Sequence, residues 1–498
     1  MITRNKIVLG LSALSFLALQ SCNKIKDFKD LNTNPNQTTS TIPSALLANV
    51  TANLGGNLVY DGGGLNTVCG LYTQYFAETQ YTEVSTFVTK PSNNFDGYYS
   101  GPIEDLQNII KYNSDPATAG DAAVYGSNND QIAIARILRA QYVKFVTDAV
   151  GDVPYFDALK GNAGLVTPAY DKQQDIYADL VNELTQAVAQ FDDGPTVQGD
   201  LIYNGSVSAW KKYANSLRLM LAINMVSVDK ATATTDFQAA LNDPAGVISS
   251  VSDNANLAYP GGVYLNPFYN YYNITQRFDY ALSNTVTNIL NATTDPRVNI
   301  YGSSGKGFPV GLSRDHALAY QSANSDWDDL IYGGNNNEFS QSTTPITIIS
   351  AAYIDLIRAE GAEEGLSSED PVALYKAGVQ ASFDQYGLGS ATTFLGGSSV
   401  ALTGGAGDLQ KICTQEWLAA FPAGEEGWNT TRRTGFPAIV PGPDAVAGAG
   451  VSVPTIPSRF PYGVDDYTYN TSNVAIAAKR YAIGGTDDSQ YAKIWWNQ

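Results

Sequence analysis

Chemistry that depends on imidazole would have to pass through one residue, because His316 is the only histidine in the chain. A two-histidine zinc site is therefore unavailable, and any Ser-His-Asp triad would rest on His316 alone. No G-x-S-x-G elbow, phosphate-binding loop or H-E-x-x-H is present, so His316 reads as a loop or surface imidazole. Glycoside hydrolysis needs only two carboxylates at a set separation, and the adjacent pairs Glu363-Glu364, Glu425-Glu426 and Asp328-Asp329 could supply them. Adjacent acids are more often solvated faces than catalytic dyads, and no catalytic residue is assigned. Arg432-Arg433 beside Trp428 could clamp an anionic group; in so acidic a chain they are expected to pair with carboxylates and stack on the indole. The Asp and Asn residues of 326–329 and 335–337 could hold calcium through oxygen ligands, but neither segment has the D-x-D-x-D-G spacing, so no metal ligand is named and no cofactor is required.

The remaining chemistry is that of neutral recognition. The chain carries 31 Tyr, and its polarity lies in Asn, Thr, Ser and Tyr, since only 15% of residues are charged. Such a surface hydrogen-bonds without charge and suits a hydroxyl-rich ligand, although an acidic surface that keeps a secreted protein soluble accounts for it equally well. A formal charge of −19 opposes phosphate backbones and excludes a nucleic-acid role. A pyranose presents an apolar C–H face and a rim of hydroxyls, so its site needs an aromatic ring for the first and amides or carboxylates for the second. Two irregular stretches, 81–99 and 264–332, supply that mixture. Tyr81, Asn93, Tyr269, Tyr271, Tyr272 and Trp327 are the ligand-binding candidates, with Asp328 as a hydroxyl acceptor. The alternative is that several of these rings pack the insertion onto the helices.

Helices must position those loops. Within Gln131–Phe156 the residues Ile134, Leu138, Tyr142 and Phe145 form one apolar stripe, with Arg136, Arg139 and Lys144 off it and Gly151 and Val153-Pro154 as the stop. A helical region over 43–81 is broken by glycines at 61–64, and another helix runs over 97–112. Asp171 with Gln174 looks like a capping box for a helix bearing Ile176, Leu180, Leu184 and Val188. Further helices lie in Asp200–Met225, Ile348–Glu364 and Asp370–Tyr386, the last with Asp370-Pro371 as cap and first residue. Pairs of this length are the units of tetratricopeptide-type arrays. Between them lies the irregular 254–344 segment, and loops of that kind carry function more often than scaffold does.

Six motifs in order make the chain resemble the SusD/RagB-like outer-membrane lipoproteins, in particular their SusD-like-2 branch. They begin with Phe28, Leu31, Asn32, Asn34, Pro35 and Asn36. The A-R-x-x-R-A-x-Y run ending in Gly151-Asp152-Val153-Pro154-Tyr155 comes next, followed by Trp210 to Leu219. Then come Trp428, Arg432-Arg433, Gly435 and Pro437; Pro457, Arg459, Pro461 and Tyr462; and Trp495-Trp496. The resemblance implies a mostly α fold in which four tetratricopeptide-like helix pairs carry long loop insertions. It also implies glycan contacts on loops of the two stretches above, and a SusC-like TonB-dependent transporter as the partner that receives an oligosaccharide. Two readings from other classes stand beside this binding function: a secreted glycoside hydrolase, and a repeat scaffold that takes peptide or protein cargo.

The N-terminus addresses the chain to a membrane. Arg4 and Lys6 precede an apolar run from Ile7 to Leu19 that is too short to span a bilayer, and Leu19-Gln20-Ser21-Cys22 reads as a lipobox. Residues 1–21 are expected to be a lipoprotein signal peptide, 22–42 a tether acylated at Cys22, and 43–498 one α-helical domain. The acyl chains anchor the protein to the outer membrane, facing the cell surface. Cys69 and Cys413 are read as small buried hydrophobes rather than a disulfide.

Overall fold

In the computed structural model, residues 42–90, 95–192 and 194–498 are described; Cys22 and Asn93 lie outside them, as do the signal peptide and most of the tether. The chain opens with α1 (Pro43–Leu58) and α2 (Leu65–Tyr72), separated by the glycine break at 61–64. In that break the Asp61 carboxylate accepts from the backbone N–H groups of Gly64, Asn66 and Thr67 and so satisfies the first turn of α2. Helix α3 (Glu104–Ser114) packs on α1 and on α4 (Asn128–Val150), the long central helix. The Ser127 hydroxyl caps the start of α4 by accepting from the Asp130 N–H, and its end comes at Gly151, whose φ of 98° stops the helix.

Four helix pairs follow among the described residues. Helix α4 pairs with α5 (Gln173–Gln190), and α6 (Val207–Asn224) with α7 (Lys230–Leu241). Past the insertion and its short helices α8 (Asn284–Ala292) and α9 (Arg314–Ala323), α10 (Ala351–Glu363) pairs with α11 (Pro371–Gln385), and α12 (Asp408–Ala420) with α13 (Gly424–Thr434). Each pair packs on the next, and α13 returns against α2 and α4, so the array closes on itself around a continuous apolar core. Trp210, Trp417, Trp428 and Trp496 are wholly buried in it. Cys69 and Cys413 are buried and unbonded to each other. The fold is mostly α, with only two short antiparallel ribbons among the described residues, β1 (Phe76–Glu78) with β3 (Tyr280–Leu282) and β2 (Asn256–Leu257) with β4 (Ile346–Thr347).

Local chemistry departs from the sequence reading at three places. The Asp171–Gln174 capping box does not form: the helix starts at Gln173, and Asp171 instead accepts from the Tyr155 and Phe156 N–H groups and so ties down the turn after α4. Asp200 lies before its helix rather than in it, where its carboxylate accepts from the backbone of Ile202, Tyr203 and Gly205 and from the Trp210 indole. Lys144, off the apolar stripe, is not solvated. Its ammonium sits 2.9 Å from Asp148 and 2.9 Å from Glu426, with Glu425 at 3.8 Å, all of them buried. Burial alone would lower the Lys144 pKa, but the three carboxylates outweigh it and hold the group above its ordinary range. A helix enclosed on all sides by neighbours has no solvent face for a periodic pattern to reveal.

Arg432 and Arg433 take the structural roles expected of them. The Arg432 guanidinium stacks 3.6 Å from the Trp428 ring centroid and donates to the backbone carbonyls of Asp148 and Ser458. Arg433 bridges Glu360 at 2.6 Å and Glu416 at 2.7 Å.

Candidate ligand-binding site

The insertion is fastened to the scaffold by the β1–β3 ribbon, in which Phe76 faces Leu282 and Glu78 faces Tyr280. Just beyond it, the Thr79 N–H donates to the Asp279 carbonyl at 2.8 Å and the Thr79 hydroxyl to the Phe278 carbonyl at 2.9 Å, which joins the loop carrying Tyr81 to the loop carrying Arg277 and Phe278. Helix α9 lies across this junction, and its Gln321 amide donates to the Thr79 carbonyl at 2.7 Å. Beneath it Ala77, Ala281, Phe308 and Ala317 form a small separate core on which Tyr320 and Trp327 rest. Three segments distant in sequence are thereby brought to one surface.

That surface is aromatic and polar in alternation. Tyr81 is 54% exposed, and the guanidiniums of Arg277 and Arg314 lie 5.9 and 6.0 Å from its ring centroid, where they hold the ring upright in water. Phe278 is 46% exposed and stacks on Tyr272 at 5.9 Å. At the other end of α9, half-buried Trp327 packs edge-on against Phe308 at 4.8 Å, beside an open groove of about 530 Å³ that Ser303, Ser304, Gln321, Asn324, Asp326 and Asp329 also line. From Arg314 to Asn324 the helix rises about 15 Å, so the two ends of the surface stand an oligosaccharide's reach apart rather than a single ring's. Arg277 is itself fixed by Asp279 at 2.6 Å. Hydroxyls, amides and carboxylates around an indole and a phenol can accept and donate to sugar hydroxyls while the rings cover C–H faces.

Of the residues chosen from sequence, Tyr81 and Trp327 meet on this surface. Tyr271 and Tyr272 do not offer their rings to solvent. Both are buried: Tyr271 packs edge-on against Tyr60 and donates to Asp279, while the Tyr272 hydroxyl accepts from the Ile331 N–H at 3.0 Å. Tyr269 is half-buried in the same turn, which the Asn266 side chain caps. Asp328 is also unavailable as a hydroxyl acceptor, since it is buried and closes the 303–304 turn by accepting from the Ser303 and Ser304 N–H groups. Its neighbour Asp329 is the carboxylate that lines the groove. Phe278, Arg277 and Arg314 were not singled out from the sequence, because their approach to Tyr81 depends on the pairing of β1 with β3 and not on a local pattern.

The other chemical candidates are committed elsewhere. His316 is exposed and its Nδ1 contacts Asp444 at 2.6 Å. Glu425 and Glu426 face Lys144 inside the core, and burial together with the Glu426 charge pushes the Glu425 carboxyl well above its usual range. Among the described residues no group of three or more His, Cys, Asp or Glu side chains converges as a metal site, and Asp326 pairs with Lys306 at 2.7 Å. No helix among them is long and apolar enough to cross a membrane. Under the surface, Glu78 is buried, its carboxylate accepting from the Ser85 N–H at 2.8 Å, and burial pushes its pKa up to about 7 against the pull of that hydrogen bond.

Comparison with known proteins agrees with the architecture. Residues 35–463 match the model of the SusD-like-2 family, described as starch-binding and associating with the outer membrane. No curated protein matches the sequence significantly. Among solved structures, a chitin-binding SusD homolog from Flavobacterium johnsoniae superposes with a TM-score of 0.72 at 25% identity, over 92% of this chain and 98% of its own. A second structure, called a chitin-binding protein, gives 0.70 at 25% identity over 92% of this chain and 100% of its own. A SusD homolog from Parabacteroides distasonis gives 0.75 at 22% identity, over 92% and 98%. The chain thus belongs to the SusD-like-2 branch of the SusD/RagB superfamily, the carbohydrate-binding proteins that associate with the outer membrane.

Proposed function

We propose that this protein captures an oligosaccharide at the cell surface on the face running from Tyr81 past Gln321 to Trp327, and delivers it to a SusC-like TonB-dependent transporter. The observation that carries this reading is the convergence of the exposed Tyr81 and Phe278 rings and the half-buried Trp327 with hydroxyl, amide and carboxylate groups along α9. Acyl chains on Cys22 hold the body at the membrane. The tether, residues 22–42, is 21 residues long, which at about 3.4 Å per extended residue keeps the body within some 70 Å of the bilayer and beside its transporter. The Flavobacterium johnsoniae relative binds chitin, so β-linked N-acetylglucosamine oligomers are the first class to test, with α-linked glucose oligomers as the contrast.

Three stacked or edge-contacting rings at about 1 kcal/mol each, with a few hydrogen bonds, give affinity near the millimolar range, about −4 kcal/mol, which suits a carrier that must release its cargo. Titration calorimetry with both oligomer series tests the reading: saturable binding that grows with chain length over the first few residues supports it, and no heat with either series or with a wider panel of glycans removes it. For the anchor, Cys22→Ala is expected to release the protein into soluble fractions, and unchanged membrane retention would refute acylation at this position. Pull-down from native membranes should recover a TonB-dependent transporter.

A further inference from the structure

A second cavity lies inside the scaffold and shares no lining residue with the groove beside Trp327. It holds about 230 Å³ between the β2–β4 ribbon, the end of α11 and the turn joining α12 to α13. At about 30 Å³ per molecule that is the space of some seven or eight waters, the size of one small compound and too small for an oligosaccharide. Its walls are aromatic: Phe268, Tyr332, Phe339, Tyr386 and Phe421 all line it, and among the described residues that line it there is no Lys, Arg or His. All five of these rings brace one another. Tyr332 meets Phe268 at 5.5 Å and Phe421 at 5.3 Å, both nearly perpendicular, and Phe339 meets Tyr386 at 5.2 Å in the same way.

The cavity has one ionisable acid, Glu426, whose side chain is 12% exposed. Its Oε2 accepts from the Tyr353 hydroxyl at 3.1 Å and its Oε1 from Lys144 at 2.9 Å, so the carboxylate is fixed in place while each oxygen keeps capacity for another donor. Lys144 is the ammonium shared by Asp148, Glu425 and Glu426, and the Arg432 guanidinium lies beside Asp148, so Glu426 is the carboxylate of this group that reaches the cavity. Ring faces attract cations through their quadrupole, and a carboxylate at the same site adds a full charge. Asn254, Asn256, Thr344, Thr347, Ser350 and Gln385 also line the cavity, so its size rather than its polarity excludes an oligosaccharide. We propose that this cavity is a binding site for a small organic cation, a substituted ammonium whose charge meets the aromatic walls and Glu426.

The probes are choline chloride and its neutral carbon isostere, dimethylbutanol, which match in shape and differ in charge. In titration calorimetry on the full-length protein choline is expected to bind, and the isostere at least about fivefold more weakly, the ratio that loss of a desolvated cation–π contact of about 1 kcal/mol produces. Phe339→Ala removes a half-buried wall without touching the charge cluster and should weaken choline by a similar factor. Glu426→Gln retains an acceptor for Tyr353 and should do the same; if that variant fails to fold, Phe339→Ala decides. Equal affinity for choline and the isostere, absence of choline binding, or choline binding untouched by Phe339→Ala overturns the proposal. None of these outcomes depends on oligosaccharide binding, which is measured separately with the sugar series.

Discussion

Of the places where this molecule sets arginine against an aromatic ring, two do opposite work. Arg432 lies 3.6 Å from the Trp428 centroid, between helices, and donates to the backbone carbonyls of Asp148 and Ser458 and to the Asn429 side-chain oxygen. Arg277 and Arg314 lie about 6 Å from the centroid of Tyr81, at the rim of a loop, with the ring left open to water. The first arrangement is desolvated on every side and fixes how α13 meets α4. The second leaves a ring face and a polar fringe unpaired, which is the condition for binding something else. Residue types alone do not separate structure from function here; solvent access does.

Breaking the buried side of this comparison should produce the largest effect. Lys144→Met leaves Asp148 and Glu426 without their shared cation and is expected to cost about 3–5 kcal/mol, read by urea unfolding. A smaller and pH-dependent effect belongs to Glu78. Its folded pKa of about 7 is raised above the ordinary 4.5, so its contribution to stability is fully present below pH 4.5 and is lost as pH rises through 7. At pH 8 the buried charge therefore costs about 3 kcal/mol, and Glu78→Gln should raise the melting temperature at pH 8 while changing it little at pH 4. Equal shifts at both pH values would contradict the buried-carboxylate account. On the ligand side, Trp327→Ala should weaken oligosaccharide binding by about 1 kcal/mol, roughly fivefold, and, because the indole also packs on Phe308, cost about 1–2 kcal/mol of stability. Tyr271→Phe should do the reverse on a smaller scale, losing at most about 1 kcal/mol of stability with the hydrogen bond to Asp279 and none of the affinity.

The scaffold was legible because its signals are periodic and local. The stripe Ile134, Leu138, Tyr142 and Phe145 is buried as read, Gly151 ends its helix, and Asp370 caps α11 with Pro371 behind it. The family motifs at Trp428, Arg432 and Arg433 were recognisable for the same reason: they hold helices together, and their roles in the core are those expected. The site was only half legible. Tyr81 and Trp327, chosen by composition, lie on the surface described, but Tyr271 and Tyr272 belong to an identical composition and are buried, because the side chosen by each ring depends on a turn capped by Asn266 and on pairing with residues far along the chain. Asp328 and Asp329 differ by one position and face opposite ways, and nothing in an Asp-Asp pair states which one closes the turn. The Arg277, Phe278 and Tyr81 grouping arises from a β1–β3 ribbon between segments some two hundred residues apart, and no local pattern encodes that pairing.

The central claim is that exposed rings on the α9 face, and not the buried tyrosines of the same insertion, hold the sugar. Titration of one oligosaccharide that binds the wild-type protein into two double variants tests it directly: Tyr81→Ala with Trp327→Ala, and Tyr271→Phe with Tyr272→Phe. The account predicts that the first pair loses affinity by tenfold or more, about 1.4 kcal/mol or greater, while remaining folded, and that the second keeps wild-type affinity with lower stability. Undiminished affinity in the first pair, or its loss in the second, would contradict the account.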